Sequence, residues 1–363
     1  MTKKSNRRAI SLAEDLQQEA EYLGSSGRDV HLSKLTTDLS VLRKKYKEAI
    51  ETIKLQELSI AAFQRLKETP ITRKKIRKRK FTKPVGGAAV AVVWNDWHLE
   101  EVIDPNVLEY PNEHNLEIGK RRFEMCIAKA KLLLDLSRTF ADVNEFHVFI
   151  LGDLMSNYLH EESVETNELG PTEAMLEARD RIETGVMDLH EYAKADRFKV
   201  TTCHGNHGRL THRRRYKVAH KTNLEWQVCE DLKRRHAERG SLIEWQVSKS
   251  NFARTDVLNW KVRLTHGDDL NHQGGIGGLT IPLLKACKQW DANQKADYTI
   301  VGHWHQFIRL WNILVCGCAC GFNEYAQGKK MEGQPPTQTF ILFDSDKKVI
   351  LAEPLFIEPG HVA

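Results

Sequence analysis

The 363-residue chain carries 16 histidines, and several stand where they could do chemistry. Asp96-Trp97-His98, Gly152-Asp153, Gly205-Asn206-His207, His266 and Gly302-His303-Trp304-His305 each follow a short apolar run. One histidine alone is usually a hydrogen-bonded core or surface residue, but repeated delivery of imidazole and oxygen donors from successive runs implies convergence. Such donors without thiolate suit Mn2+, Fe or Zn2+ in a roughly octahedral shell, and a shared carboxylate lets one set hold two ions. Two ions about 3.5 to 4 Å apart activate water at neutral pH and neutralise both ends of an in-line displacement at phosphorus. The chemistry indicated is phosphoester hydrolysis.

The apolar runs must position these groups. Ala88 to Trp94, Phe146 to Leu151, Phe198 to Thr202, Trp260 to Thr265 and Tyr298 to Val301 read as buried strands. Helical periodicity over Arg122 to Phe140 and Thr172 to Tyr192 implies βαβ units, in which ligands gather beyond the carboxyl ends of the strands. Residues two apart in extended backbone point the same way, so Asp96 with His98, and His303 with His305, are expected to face one cavity. Trp97 and Trp304 should then turn away and pack.

The ordered set Asp-x-His, Gly-Asp, Gly-Asn-His, a lone His and Gly-His-x-His, over about residues 88 to 326, resembles the calcineurin-like metallophosphoesterase superfamily. The resemblance implies an α/β fold, a β-sandwich flanked by helices in four αββα layers. It implies that Asp96, His98 and His305 hold one metal, that Asn206, His266 and His303 hold the other, and that Asp153 bridges them. His207 would be the catalytic acid that serves the leaving oxygen. The texture around Asn157 to Glu168, His204 to Arg215 and Thr265 to Gly278 is further similar to bacteriophage-encoded phosphoesterases. One position departs from the family: an acidic residue usually follows Gly-Asn-His, and here Gly208 does. Another group must therefore orient the His207 ring, or His207 is a weaker acid than is usual in the family. Arg209 and His160 are candidate substrate contacts, and Glu165, Asn167, Asp268 and Asp269 are candidate orienters.

Charge is uneven. Residues 1 to 83 hold 21 Lys and Arg against 10 Asp and Glu, a net of +11, which leaves 33 against 39, a net of −6, for the rest. The peak is Arg73, Lys74, Lys75, Arg77, Lys78, Arg79 and Lys80, between Pro70 and Pro84. Such a run is either a solvated tether or a set of salt-sensitive phosphate contacts to nucleic acid. Upstream, the apolar spacing of Leu12 to Leu23 predicts a helix that Gly24 and Gly27 end. Leu32, Leu35, Leu39, Leu42, Tyr46, Ala49 and Ile53 then step by threes and fours, a heptad seam that favours a coiled-coil homodimer. The expected organisation is a helical extension over 1–69, a basic linker over 70–86 and a catalytic domain over 87–363.

No apolar run spans a membrane and the N-terminal residues lack the apolar h-region of a secretory signal, so a cytoplasmic protein is expected, in a host cell if phage-encoded. Seven scattered cysteines fit a reducing compartment, and Cys316, Cys318 and Cys320 read as thiols buried on one face of a strand. The basic segment and dimerising helix are similar in kind to the double-strand-break repair nucleases of the superfamily. The expected function is cleavage of DNA by two divalent ions, Mn2+ foremost, with Fe, Zn2+ or Ni2+ as alternatives. The rival readings are hydrolysis of a small nucleotide or phosphomonoester, and a non-catalytic nucleic-acid-binding protein with structural metals.

Overall fold

The computed structural model describes residues 25–68, 87–159, 161–270 and 278–358, which fall into an N-terminal helix and a separate α/β unit. Helix α1 runs over Ser25–Glu68, 44 residues without a proline, or roughly 66 Å at 1.5 Å per residue. Gly27 therefore lies inside a helix and does not end one. Glycine costs a long helix only about 1 kcal/mol, which the remaining turns offset. The helix expected over Leu12 to Leu23 lies outside the described residues. Along α1 the seam residues Leu32, Leu39, Leu42, Tyr46 and Ile53 are 53% to 70% exposed.

The α/β unit contains, in chain order, β1 (Ala88–Trp94), α2 (Leu116–Arg138), β2 (Val143–Ile150), α3 (Glu161–Thr166), α4 (Pro171–Ala193), β3 (Arg197–Thr202), α5 (Leu224–Glu238), β4 (Glu244–Val247), β5 (Phe252–Val257), β6 (Trp260–Thr265), α6 (Thr280–Asn293), β7 (Tyr298–Val301), β8 (Ile308–Arg309), β9 (Ile313–Val315), α7 (Glu324–Gly328), β10 (Thr337–Asp344) and β11 (Lys348–Phe356). One sheet has the order β11-β10-β1-β2-β3-β4, with β1 to β4 parallel and β10 and β11 antiparallel. The other has the order β5-β6-β7-β9-β8, with β6, β7 and β9 parallel.

Strand alternation sorts the core into layers. From β1, Ala88, Val90, Val92 and Trp94 pack with the helices α2, α4 and α5, whereas Ala89, Ala91 and Val93 pack toward the second sheet. Phe340 and Leu342 against Ile341 and Phe343 divide β10 in the same way. On the outer side of the second sheet, Leu283 and Cys287 of α6 cover Val301, Ile313 and Val315. The result is the αββα four-layer sandwich that the motifs led one to expect. Each aliphatic side chain so buried contributes on the order of 1.5–3 kcal/mol.

The five expected strands all form, but not as one series: the fourth and fifth are β6 and β7 of the second sheet. Between β3 and β6 come β4 and β5, whose sequences EWQV and FARTDV are too short and polar to stand out by hydropathy. Strand β9 stops at Val315, so Cys316, Cys318 and Cys320 do not alternate along a strand. Cys316 lies between the sheets and the other two lie in a separate cluster with Ile103. No described helix is long and apolar enough to cross a membrane.

Candidate metal centre

Parallel pairing of β1, β2 and β3, and of β6 and β7, sends the carboxyl ends within each sheet the same way. The motif residues emerge there, and five of them are not extended. Asp96, His98, Asp153, His303 and His305 have φ of 49°, 44°, 52°, 70° and 53°, in the left-handed region that non-glycine residues seldom enter. The convergence inferred from strand alternation therefore arises from left-handed turns just beyond the strands. Such backbone costs about 1–3 kcal/mol per residue and persists only where the surroundings enforce it. Main-chain bonds do so here: Asp96 N–H donates to Gly152 O at 2.9 Å and His98 N–H to Asp153 O at 3.2 Å.

The Gly-Asp and Gly-Asn-His turns are pressed together. A Cβ on Gly152 would lie 2.0 Å from the Gly205 nitrogen, and Gly152 has φ of 88°, so no other residue fits. Glu225, in the first turn of α5, clamps the two turns: its carboxylate accepts from Leu154 N–H at 2.7 Å and from Gly205 N–H at 2.8 Å. Burial, together with the nearby Asp153 charge, pushes the Glu225 carboxyl up to about 7. Nothing in the sequence marks Glu225, because an acidic residue just inside a helix is commonplace.

Three donor groups of nitrogen and oxygen alone result, in each of which the donor atoms lie within 4.8 Å of one another: Asp96, His98 and His305; Asp153, His266 and His303; and His98, Asp153 and His207. Asp153 thus touches both sides. His266 Nε2 lies 2.9 Å from Asp153 Oδ2 and 3.0 Å from Asn206 Oδ1. His305 Nε2 lies 3.7 Å from Asp96 Oδ1. The metal-ligand set expected from the motifs, Asp96, His98, Asp153, Asn206, His266, His303 and His305, is therefore gathered in one place.

Two of the rings are held from behind. His98 Nδ1 donates to Ser156 Oγ at 2.9 Å, and that hydroxyl donates to Glu101 Oε2 at 2.9 Å. His266 Nδ1 donates to the Leu151 carbonyl at 2.7 Å. Both arrangements turn Nε2 inward, the role played by outer partners in metal sites. His98 Nε2 and Asp96 Oδ1 are buried with no hydrogen-bond partner among the described residues, a costly state unless a cation is the intended partner. Burial, reinforced by the His207 ring, lowers His98 to about 4, and burial beside His266 does the same for His303, so both are neutral near pH 7, as ligands must be. Burial alone would push the Asp153 carboxyl up, but His266 and His207 outweigh it and hold it well below its usual range. The residues fit a pair of divalent cations.

His207 is partly buried beside the bridging carboxylate, with Nε2 4.0 Å from Asp153 Oδ2. Its Nδ1 donates to the Ser156 carbonyl at 2.9 Å, which supplies the orienter that Gly208 cannot. A side chain at 208 would strike Glu225, since a Cβ there would lie 2.7 Å from Glu225 Cγ. Asn157 steadies the same loop by donating to the carbonyls of His207 and Arg209 at 2.9 and 3.0 Å, and Asn167 donates to the Asn157 carbonyl at 3.0 Å.

Other expected residues lie elsewhere or are differently engaged. The Arg209 guanidinium donates to the carbonyls of Thr211 and Asn206, both at 3.2 Å, within its own loop. Asp268 pairs with Arg214 at 3.0 Å, leaving the orientation of His266 to Leu151. Glu165 is exposed on α3. His160 and the basic residues Arg73, Lys74, Lys75, Arg77, Lys78, Arg79 and Lys80 lie outside the described residues. Trp97 packs on Trp94 and Phe123 with ring centroids 5.7 and 5.2 Å away and Trp304 packs against the cluster of Leu283, Val301 and Val315, both as expected; Trp304 also stands edge-on to the His303 ring at 5.3 Å.

No protein-family profile and no curated protein matches the chain. Among solved structures it is similar to a Zn2+ complex of Vps29 from Entamoeba histolytica, at 13% identity and a TM-score of 0.30 over 74% of this chain and 99% of that one. A hypothetical protein from Pyrococcus horikoshii aligns at 12% identity and a TM-score of 0.34 over 73% and 87% of the two chains. The sulfate thiohydrolase SoxB from Thermus thermophilus aligns at 10% identity and a TM-score of 0.29 over 76% and 58%.

Proposed function

We propose that the α/β unit is a calcineurin-like metallophosphoesterase that hydrolyses phosphodiesters with two divalent cations, and that its substrate is DNA. The observation that carries the reaction class is the pair of donor triads that meet at Asp153, with Asp96 Oδ1 and His98 Nε2 buried and making no hydrogen bond among the described residues. Asp96, His98 and His305 would hold one cation, Asn206, His266 and His303 the other, with Asp153 between them. Cations held there supply Lewis-acid activation of water and charge neutralisation at phosphorus.

The protein's own groups account for the remaining steps. Asp153 and Asp96 keep their charge because imidazoles flank them. The Leu151 carbonyl and Ser156 hydroxyl fix the rings of His266 and His98, so a substrate meets a preorganised site. His207, with Nδ1 committed to Ser156, presents Nε2 beside Asp153, where in its protonated form it can hand a proton to the departing oxygen.

The choice of DNA is supported by the basic cluster Arg73 to Lys80 upstream of an otherwise acidic catalytic unit, and by the exposed apolar seam of α1, which suits a homodimer gripping a long substrate. The test is a digestion panel with Mn2+: linear, circular, single-stranded and duplex nucleic acids beside cyclic dinucleotides and a phosphomonoester, with Asp153→Asn as control. Cleavage of DNA that Asp153→Asn abolishes supports the reading. Turnover confined to the monoester or the small nucleotides replaces DNA as substrate, and no turnover of any substrate removes the enzyme reading.

A further inference from the structure

The segment Cys316-Gly317-Cys318-Ala319-Cys320-Gly321 is unused by the chemistry above, yet it lies against the centre. Asn95 Nδ2 donates to Gly317 O at 2.8 Å, Ala319 N–H donates to Asp96 O at 3.0 Å, and Thr337 N–H donates to Cys318 O at 2.8 Å. The backbone is so close to β10 that a Cβ on Gly317 would lie 2.0 Å from Thr337 Oγ1. These contacts fix where the neighbouring thiols sit. Sγ of Cys318, Sγ of Cys320 and a ring nitrogen of His305 lie within 4.8 Å of one another, with both cysteines buried. Both thiols lie against the Gly321 carbonyl, at 3.3 and 3.6 Å, and the Cys318 thiol also bonds with Cys320 and His305.

Two sulfurs and an imidazole at such spacing form a donor set of a different kind from the oxygen and nitrogen donors on the Asp153 side. Thiolates favour Zn2+ and other borderline or soft ions over Mn2+ and Mg2+. We propose that Cys318 and Cys320, with His305, form a thiolate-bearing metal subsite that shares His305 with the dinuclear centre and takes a borderline divalent cation such as Zn2+. Each thiol that ligates gives its proton to solvent and exchanges its bond to Gly321 O for a bond to the ion, and His305, shared through its two ring nitrogens, gives up its ring N–H proton to solvent as well. In the shared role of His305 the inference rests on the proposed function; the sulfur chemistry stands apart from it.

The test is optical and uses the full chain, reduced and loaded anaerobically with Co2+ alone. Bound cobalt shows d–d absorption whatever its ligands, but a thiolate-to-cobalt charge-transfer band in the near ultraviolet only if sulfur binds it. The expected result is both sets of bands. Cys318→Ser and Cys320→Ser should each weaken the charge-transfer band, and the double variant should lose it while keeping d–d absorption; Cys126→Ser, remote on α2, should keep it. Zn2+ affinity measured by competition should fall by about tenfold or more in the double variant. Cobalt bound in the wild-type chain without a charge-transfer band overturns the sulfur subsite and leaves the proposed function standing. Absence of any bound cobalt overturns both. The wild-type spectrum decides the matter even if a variant fails to fold.

Discussion

Nδ1 of His207 is bonded to the main-chain carbonyl of Ser156 at 2.9 Å, and because a carbonyl can only accept, that nitrogen carries the proton. A main-chain acceptor holds the ring at a fixed angle without adding charge, unlike the carboxylate usual at this point in the superfamily the motifs resemble. The same residue orients His98 through its hydroxyl, so Ser156 sets two imidazoles at once.

His207→Ala should lower the turnover of a DNA phosphodiester by about 10² to 10⁴ while both cations remain bound. With bis-p-nitrophenyl phosphate, whose leaving group needs no proton, the loss should be much smaller. Equal losses on both substrates would assign His207 to binding, and loss of a cation would make it a ligand. Steady-state rates on the two substrates and metal analysis of the variant decide between these outcomes.

Glu225→Gln keeps the shape of the side chain but can accept only one of the bonds now made to Leu154 N–H and Gly205 N–H. An amide group facing a buried N–H leaves donors unsatisfied, which should cost about 1–3 kcal/mol in denaturant unfolding. Because those two turns carry Asp153 and Asn206, cation affinity should fall as well. Unchanged stability would show that the turns hold without the clamp.

Burial opposes a charge on His266, but the Asp153 carboxylate overrides it and raises the imidazole to about 10, so near pH 7 the ring is protonated. A ring must lose that proton before it can bind a cation. Uptake of Mn2+ or Zn2+ should therefore release protons, and apparent affinity should rise with pH below that value, by roughly tenfold per unit for each proton displaced. Titration calorimetry in buffers of different ionisation enthalpy measures the proton count. Zero protons released at pH 7 would contradict the His266–Asp153 ion pair.

Replacing Arg73, Lys74, Lys75, Arg77, Lys78, Arg79 and Lys80 by glutamine should weaken DNA binding uniformly across sequences. It should also flatten the plot of log affinity against log salt by about 0.9 for each phosphate contact removed. Fluorescence anisotropy over a salt series provides the slope, and an unchanged slope would reduce the segment to a tether.

Leu39→Lys together with Tyr46→Lys places charge on the exposed seam of α1, where both residues already face solvent. If the seam pairs two copies, sedimentation equilibrium should show a dimer converted to monomer with unchanged hydrolysis of a small diester. A wild-type monomer at micromolar concentration would leave the seam without a partner of its own kind.

Much of the centre was legible because ligands to a cation must be particular residue types, and they follow runs such as Ala88 to Trp94 whose hydropathy announces a strand. The backbone was not. Alternation along an extended chain correctly brought Asp96 and His98 together, but for the wrong reason, since left-handed φ is a local state enforced by bonds from distant turns such as Gly152. Ser156, Glu101 and Glu225 were invisible for a related reason: an orienting group needs only an oxygen in the right place, and serine, glutamate or a carbonyl will do. Strand β5 escaped because Arg254 and Asp256 break its apolar pattern at the sheet edge, where a strand need not be buried on both faces.

The centre draws Asp96, His98, Asp153, Asn206 and His207 from the larger sheet and His266, His303 and His305 from the smaller one. Any ion seated there is a rivet through the two halves of the sandwich, gripped only while the halves are closed on each other. Chelators should consequently lower the melting temperature of the entire α/β unit, and a partly opened chain should shed its ions before it loses its helices.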